Sequence, residues 1–90
     1  MNKRENFEFM LKIFEESGLK FVPYPQTYMV NAEDEDGVIQ SYFTSTGTAV
    51  FRDGNDKYKS QKHTERDMPV DDFIALCKGT SDRDITEFFD

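Results

Sequence analysis

The chain has one cysteine, one histidine and only five glycines, and basic residues are in the minority. Each scarcity removes a class of protein. A single cysteine cannot close an internal disulfide, which predicts a reducing compartment such as the cytoplasm. Lys3 and Arg4 lead into a stretch that Glu8 and Lys12 interrupt, so neither a secretory signal nor a membrane span is expected. Eleven Lys and Arg stand against 18 Asp and Glu, a formal net charge of −7. Binding to a phosphate backbone works through cations that displace counterions, and a polyanion is repelled by this balance. Glycine is too sparse for a phosphate loop. Thr44-Ser45-Thr46-Gly47-Thr48 sets four hydroxyls around a glycine, but the further glycines, the lysine and the helix start are missing. That segment reads as a hairpin turn.

What the chain does have is aromatic mass. Nine Phe and four Tyr make up 14% of its 90 residues, which separates it from disordered acidic chains despite 32% charged residues. At 10.5 kDa it makes one domain that buries about 64% of its unfolded surface, a thin core with no room for a deep substrate cavity.

The pattern begins with a helix. Asn2 and Glu5 form a capping-box variant, Phe7, Met10, Leu11 and Phe14 make one apolar stripe, and Gly18 is placed for a left-handed cap. Phe9 and Ile13 lie off that stripe and either widen the buried face or form a second contact surface. A β-rich middle follows. Lys20–Val22 runs into Pro23-Tyr24-Pro25, which confines a strand to an edge or breaks it. Thr27–Asn31 resumes, the acidic loop Glu33–Gly37 ends in an Asp-Gly hairpin signal, and Val38–Thr44 alternates with Ile39 and Phe43 on one face. Thr48–Arg52 returns, and Lys57–Lys62 reads as a last polar strand with Lys57 and Lys59 on one face and Tyr58 and Lys62 on the other. Pro69 opens a helix with Asp71 and Asp72 at its positive end and Phe73, Ile74 and Cys77 inward, closed by Gly79. Ser81 and Asp84 can cap a short final helix carrying Ile85, Phe88 and Phe89. The fold class is α+β: an N-terminal helix, a three- to four-stranded antiparallel meander, and one or two C-terminal helices on one sheet face.

Catalytic and metal motifs fail on their own terms. Aligned on Gly37 as a calcium-loop glycine, Asp34 and Asp36 take ligand positions, but Ala32 and Phe43 occupy the two that matter most. Asp53-Gly54-Asn55-Asp56 is one turn with few oxygens. A nucleophilic pair would need Cys77 beside His63, yet Cys77 falls on an apolar helix stripe, where cysteine behaves as a small hydrophobe. No catalytic residue, metal or cofactor is expected.

Tyr42-Phe43-Thr44-Ser45-Thr46-Gly47-Thr48 resembles a hairpin of small phage and prophage proteins, in which an aromatic pair precedes a Thr-Thr-Gly-Thr-like turn. The similarity spans about ten residues and departs at Thr44 and Ser45. It implies a mobile-element origin and carries no site residues over, because those proteins have no assigned activity.

The acids are unevenly spread. Residues 31–45 hold four acids and no base, and residues 67–90 hold seven acids and two bases. Residues 46–66 between them hold five bases and three acids. The leading expectation is therefore a non-enzymatic protein-binding module whose acidic set, Glu33, Asp34, Glu35, Asp36, Asp82, Asp84 and Glu87, meets a basic partner, such as a host protein's nucleic-acid-binding groove. The alternative is a nucleic-acid platform of Lys57, Tyr58, Lys59 and Lys62, against which stands the edge-guarding use of lysine. A twofold contact through Phe9 and Ile13, or through the polar edge strand, would make a homodimer.

Overall fold

A computed structural model describes residues 1–54 and 60–90. Helix α1 spans Lys3–Ser17. Its cap is the expected one: Asn2 Oδ1 accepts the Glu5 backbone N–H at 2.8 Å, and Gly18 ends the helix at φ 83°. Five strands follow, β1 Phe21–Tyr24, β2 Met29–Glu33, β3 Ile39–Phe43, β4 Thr48–Arg52 and β5 Lys62–Glu65. They form one antiparallel sheet in the order β1-β2-β3-β4-β5. Helix α2, Val70–Lys78, and a 3-10 helix, Ile85–Phe89, complete the chain.

The α+β class and the antiparallel meander hold, but there are five strands where three or four were expected. The miscount began at proline. Pro23 lies inside β1, which is an edge strand, so its missing N–H leaves no ladder bond unmade. The last strand also differs: β5 begins at Lys62 instead of ending there. Lys57, Tyr58 and Lys59 lie outside the described residues. Pairing Phe51 with His63 and Ala49 with Glu65 turns His63 and Glu65 toward the helices and leaves Lys62 and Thr64 outward. A one-residue slip would invert that arrangement.

Alternation along the strands builds the core. Val30 and Ala32, Tyr42, and Ala49 and Phe51 face the helices and are buried, against Phe7 and Phe14 of α1 and Phe73, Ile74 and Cys77 of α2. Phe73 is the hub, with ring centroids 5.1 Å from Tyr42, 5.6 Å from Phe51 and 6.0 Å from Phe14. Ile13 packs against this cluster, while Phe9 stays half exposed. The 3-10 helix seals the β5 end: Phe88 lies 5.0 Å from Phe51 and stacks on His63 at 4.5 Å and 6°.

Tyr28 is strained, at φ 55° in the β1–β2 turn, where glycine is the usual choice. Its ring packs edge-on against Phe7 at 5.9 Å, and its carbonyl accepts both the backbone N–H and the hydroxyl of Thr44. Those contacts hold the unfavourable backbone in place.

Candidate functional site

The feature that stands out is a cleft of about 850 Å³ at the end of the sheet bearing the β2–β3 turn. Three pieces of chain wall it. The turn supplies Asp34, Glu35 and Asp36, the end of β4 supplies Arg52 and Asp53, and the C-terminal segment supplies Asp82, Asp84, Glu87 and Asp90, with Arg83. Eight acidic residues thus line the cleft with two arginines, whose guanidinium groups are engaged elsewhere, Arg52 with Ile39 O and Ser41 Oγ and Arg83 with Glu65. A second, smaller groove of about 500 Å³ lies between α1 and the β1–β2 turn, lined by Phe7, Leu11, Tyr28 and two prolines.

Backbone chemistry explains why segments so distant in sequence meet. The last carbonyls of α2 have no partner within the helix. The Glu35 N–H donates to one of them, Cys77 O, at 3.0 Å, which ties the acidic turn to the end of α2. Gly79 then turns the chain at φ 75°, with Thr80 N–H donating back to Ala75 O. The Glu35 carboxylate lies where a β-carbon on Gly79 would project. Glycine is therefore favoured there by conformation, while the Glu35 carboxylate, the far end of an exposed flexible side chain, could swing aside for a β-carbon.

Asp34 organises the turn. Its Oδ1 accepts the N–H groups of Asp36 and Val38, each at 2.9 Å, and its Oδ2 accepts the Gln40 amide at 3.0 Å. Gln40, fully buried, also donates to Arg52 O at 3.1 Å and accepts the Arg52 N–H. Cα pairing between β3 and β4 stops at Ser41 and Val50. Beyond it, one glutamine side chain replaces the ladder, and the two strands part at the cleft. Asp84 is likewise oriented, capping the 3-10 helix through the Thr86 N–H at 3.0 Å.

Six of the seven acids singled out from sequence, Asp34, Glu35, Asp36, Asp82, Asp84 and Glu87, converge here. Glu33 does not. It ends β2, paired with Ile39, on the sheet face opposite the helices. Asp53, Asp90 and the two arginines were missed. The meander itself was the available signal, since the β2–β3 and β4–β5 connections must lie at the same end of the sheet. Lys62 is the exposed first residue of β5.

His63 and Cys77 are held in different surroundings. His63 Nε2 lies 2.9 Å from Glu65 Oε1, and Arg83 reaches the same carboxylate at 3.4 Å while covering Phe88. The hydrogen bond with His63, followed by the charges of His63 and Arg83, holds Glu65 below its ordinary range. Cys77 is fully buried, and burial, with the Asp34 charge adding to it, pushes its thiol up to about 12. Native protein should therefore leave Cys77 unmodified by a thiol reagent at neutral pH, and denaturant should make it react fully. Rapid labelling of the folded chain would contradict its placement in the core. Among the described residues, no group of three His, Cys, Asp or Glu side chains is arranged to hold a metal ion, and no helix is long and apolar enough to cross a membrane.

Comparison with known proteins adds no relative: no family model, curated protein or solved structure matches the chain.

Proposed function

We propose that this chain is a non-enzymatic protein-binding module of phage or prophage origin, acting in the cytoplasm, whose acidic cleft docks onto a basic surface of a partner protein. A host protein's nucleic-acid-binding groove has the matching chemistry. The observation that carries the reading is the convergence on one cleft of two acidic segments nearly fifty residues apart in the chain. A net charge of −7 would arise as easily from scattered acids. Here the carboxylates share one concavity, and the backbone fixes two of them, Asp34 and Asp84. Such an array presents negative charge at set positions, which speeds association with a cationic surface and fixes its register. The hairpin similarity at 42–48 supports the mobile-element origin.

The test neutralises the acids that no structural hydrogen bond employs. A variant combining Glu35→Gln, Asp36→Asn, Asp82→Asn and Glu87→Gln keeps Asp34 and Asp84 and should fold normally. Wild-type protein should retain an arginine-rich peptide, and basic host proteins, in a salt-sensitive manner. The variant should bind on the order of 10- to 100-fold more weakly. Equal binding by both proteins would remove the cleft from the argument. Tight, salt-sensitive binding of oligonucleotides by the wild type would favour the lysine-strand alternative instead.

A further inference from the structure

The helices cover one face of the sheet, and among the described residues none packs on the other. An antiparallel sheet face left to water is ordinarily polar. This one is not. Val22, Tyr24 and Ile39 are exposed on it, and Met29, Phe43 and Val50 are half-buried there without joining the core. The register arranges the face in rows across the strands. One row is Tyr24, Met29, Phe43, Thr48, and the next is Val22, Asn31, Ser41, Val50, Thr64. The third, nearest the cleft, runs Glu33, Ile39, then Arg52 and Lys62, joined where Arg52 Nη1 donates to Ile39 O at 3.0 Å.

We propose that this face pairs with a second copy of the same chain, sheet against sheet, about a twofold axis lying along β3. The charge pattern selects that operation. A twofold along the central strand lays β2 of one copy over β4 of the other and keeps each row facing itself. Glu33, on β2, then meets Arg52, on β4, twice over. Ile39 and Phe43, on β3, meet their own counterparts at the axis. Lys62 falls opposite Lys20 of the other copy, the residue before β1 whose carbonyl accepts the Glu33 N–H at 2.9 Å. These like charges lie at the corners of the face, where the roughly −30° crossing of aligned sheets swings them apart. Arg52 is already anchored on this face, its Nη1 also donating to Ser41 Oγ at 3.1 Å, while Ser41 donates to Asn31 Oδ1 at 2.6 Å.

Size agrees. Strands about 4.8 Å apart with about 3.4 Å per residue give five strands of about five residues a footprint near ~400 Å². Two such faces give about 800 Å² of flat footprint, and side chains standing out of the pleat raise the accessible surface they bury toward the roughly 1,200 Å² at the lower end of specific interfaces. The pairing does not depend on what the cleft binds. It would nonetheless place both clefts at the same end of the dimer, so that one extended basic partner could engage two.

Sedimentation of the wild-type chain should give a concentration-dependent mass approaching twice 10.5 kDa. Phe43→Asp, on the open face and outside the core, should weaken self-association on the order of 100-fold with an unchanged circular dichroism spectrum. Glu33→Arg should weaken it on the order of tenfold, and adding Arg52→Glu should restore it. A cross-linking pair keeps the test sharp even where Arg52→Glu unfolds the chain. Facing sheets lie about 10 Å apart, so a short bismaleimide should couple Ile39→Cys to its counterpart at the axis. It should fail for Val22→Cys, whose counterpart is about four strand spacings, or ~19 Å, away. Cys77 is buried and will not compete. A monomeric mass at every concentration would overturn the proposal. So would equal cross-linking of both variants, or an oligonucleotide that binds this face of a monomer.

Discussion

Phe73→Ala is expected to cost the chain a large share of its folding free energy. Phe73 is fully buried and touches Phe14, Tyr42 and Phe51, so its ring joins α1, α2, β3 and β4. Truncating a buried phenylalanine costs about 3–5 kcal/mol, because lost transfer energy adds to a cavity that its neighbours cannot refill. Aromatic neighbours collapse poorly, which favours the upper half of that range. A domain of this size has about 5–13 kcal/mol in total, and each kcal/mol lowers Tm by about 4–8 °C. Thermal unfolding should thus shift down by roughly 15–35 °C. Phe9→Ala, at a ring that is 53% exposed, is the control and should move Tm by only a few degrees. Similar losses at both positions would mean that the aromatic hub has been misplaced.

The same residues show what a linear pattern can and cannot carry. Helical periodicity placed Phe7, Phe14, Phe73 and Cys77 correctly because burial on a helix repeats every three to four residues. Asn2, Gly18 and Gly79 marked the helix ends because their roles are local. β5 was misplaced for the opposite reason. Its register depends on Phe51, about a dozen residues upstream in the chain, and the polarity of Lys62–Glu65 resembles a loop until His63 and Glu65 are seen to meet the C-terminal segment. Pro23 left an edge strand or a break open, and its place in the edge strand β1 decides between them. The acids of the cleft were legible as residues and not as a cleft, since the turn is tied to the end of α2 by a backbone hydrogen bond from Glu35 to Cys77 and to β4 by the Gln40 side chain. Gln40 carried no signal at all. A glutamine in an alternating strand reads as solvent-facing, yet it is among the most buried side chains in the protein.

That glutamine should prove as sensitive as many hydrophobic core positions. Gln40→Leu keeps the approximate volume and removes every hydrogen bond: the donors to Asp34 Oδ2 and Arg52 O, and the acceptor for the Arg52 N–H. Each polar group left buried without a partner costs about 1–3 kcal/mol. Arg52 has two such groups, and leucine's more favourable burial returns about 1.5–3 kcal/mol, so a net loss near ~2 kcal/mol in urea unfolding is expected. Because the strands part at Gln40, the damage should concentrate at the cleft. Hydrogen exchange at Val38 and Arg52 should rise more than at Tyr42 or Ala49. Gln40→Glu separates the two donors from the acceptor. The new carboxyl sits beside Asp34 in a buried site, so its pKa must rise above its unfolded value. Its protonated form can still donate one hydrogen bond, and its ionised form can donate none. A group whose folded pKa is raised favours the folded state below the unfolded pKa and loses that advantage as pH rises through the folded one. Gln40→Glu should therefore lie closest to wild-type stability in mildly acidic buffer and fall progressively behind toward neutral pH, whereas the Gln40→Leu deficit should change little over the same interval. A Gln40→Glu deficit independent of pH would mean that the side chain had left its site for water, and that Asp34 and Arg52 are held by something other than this amide.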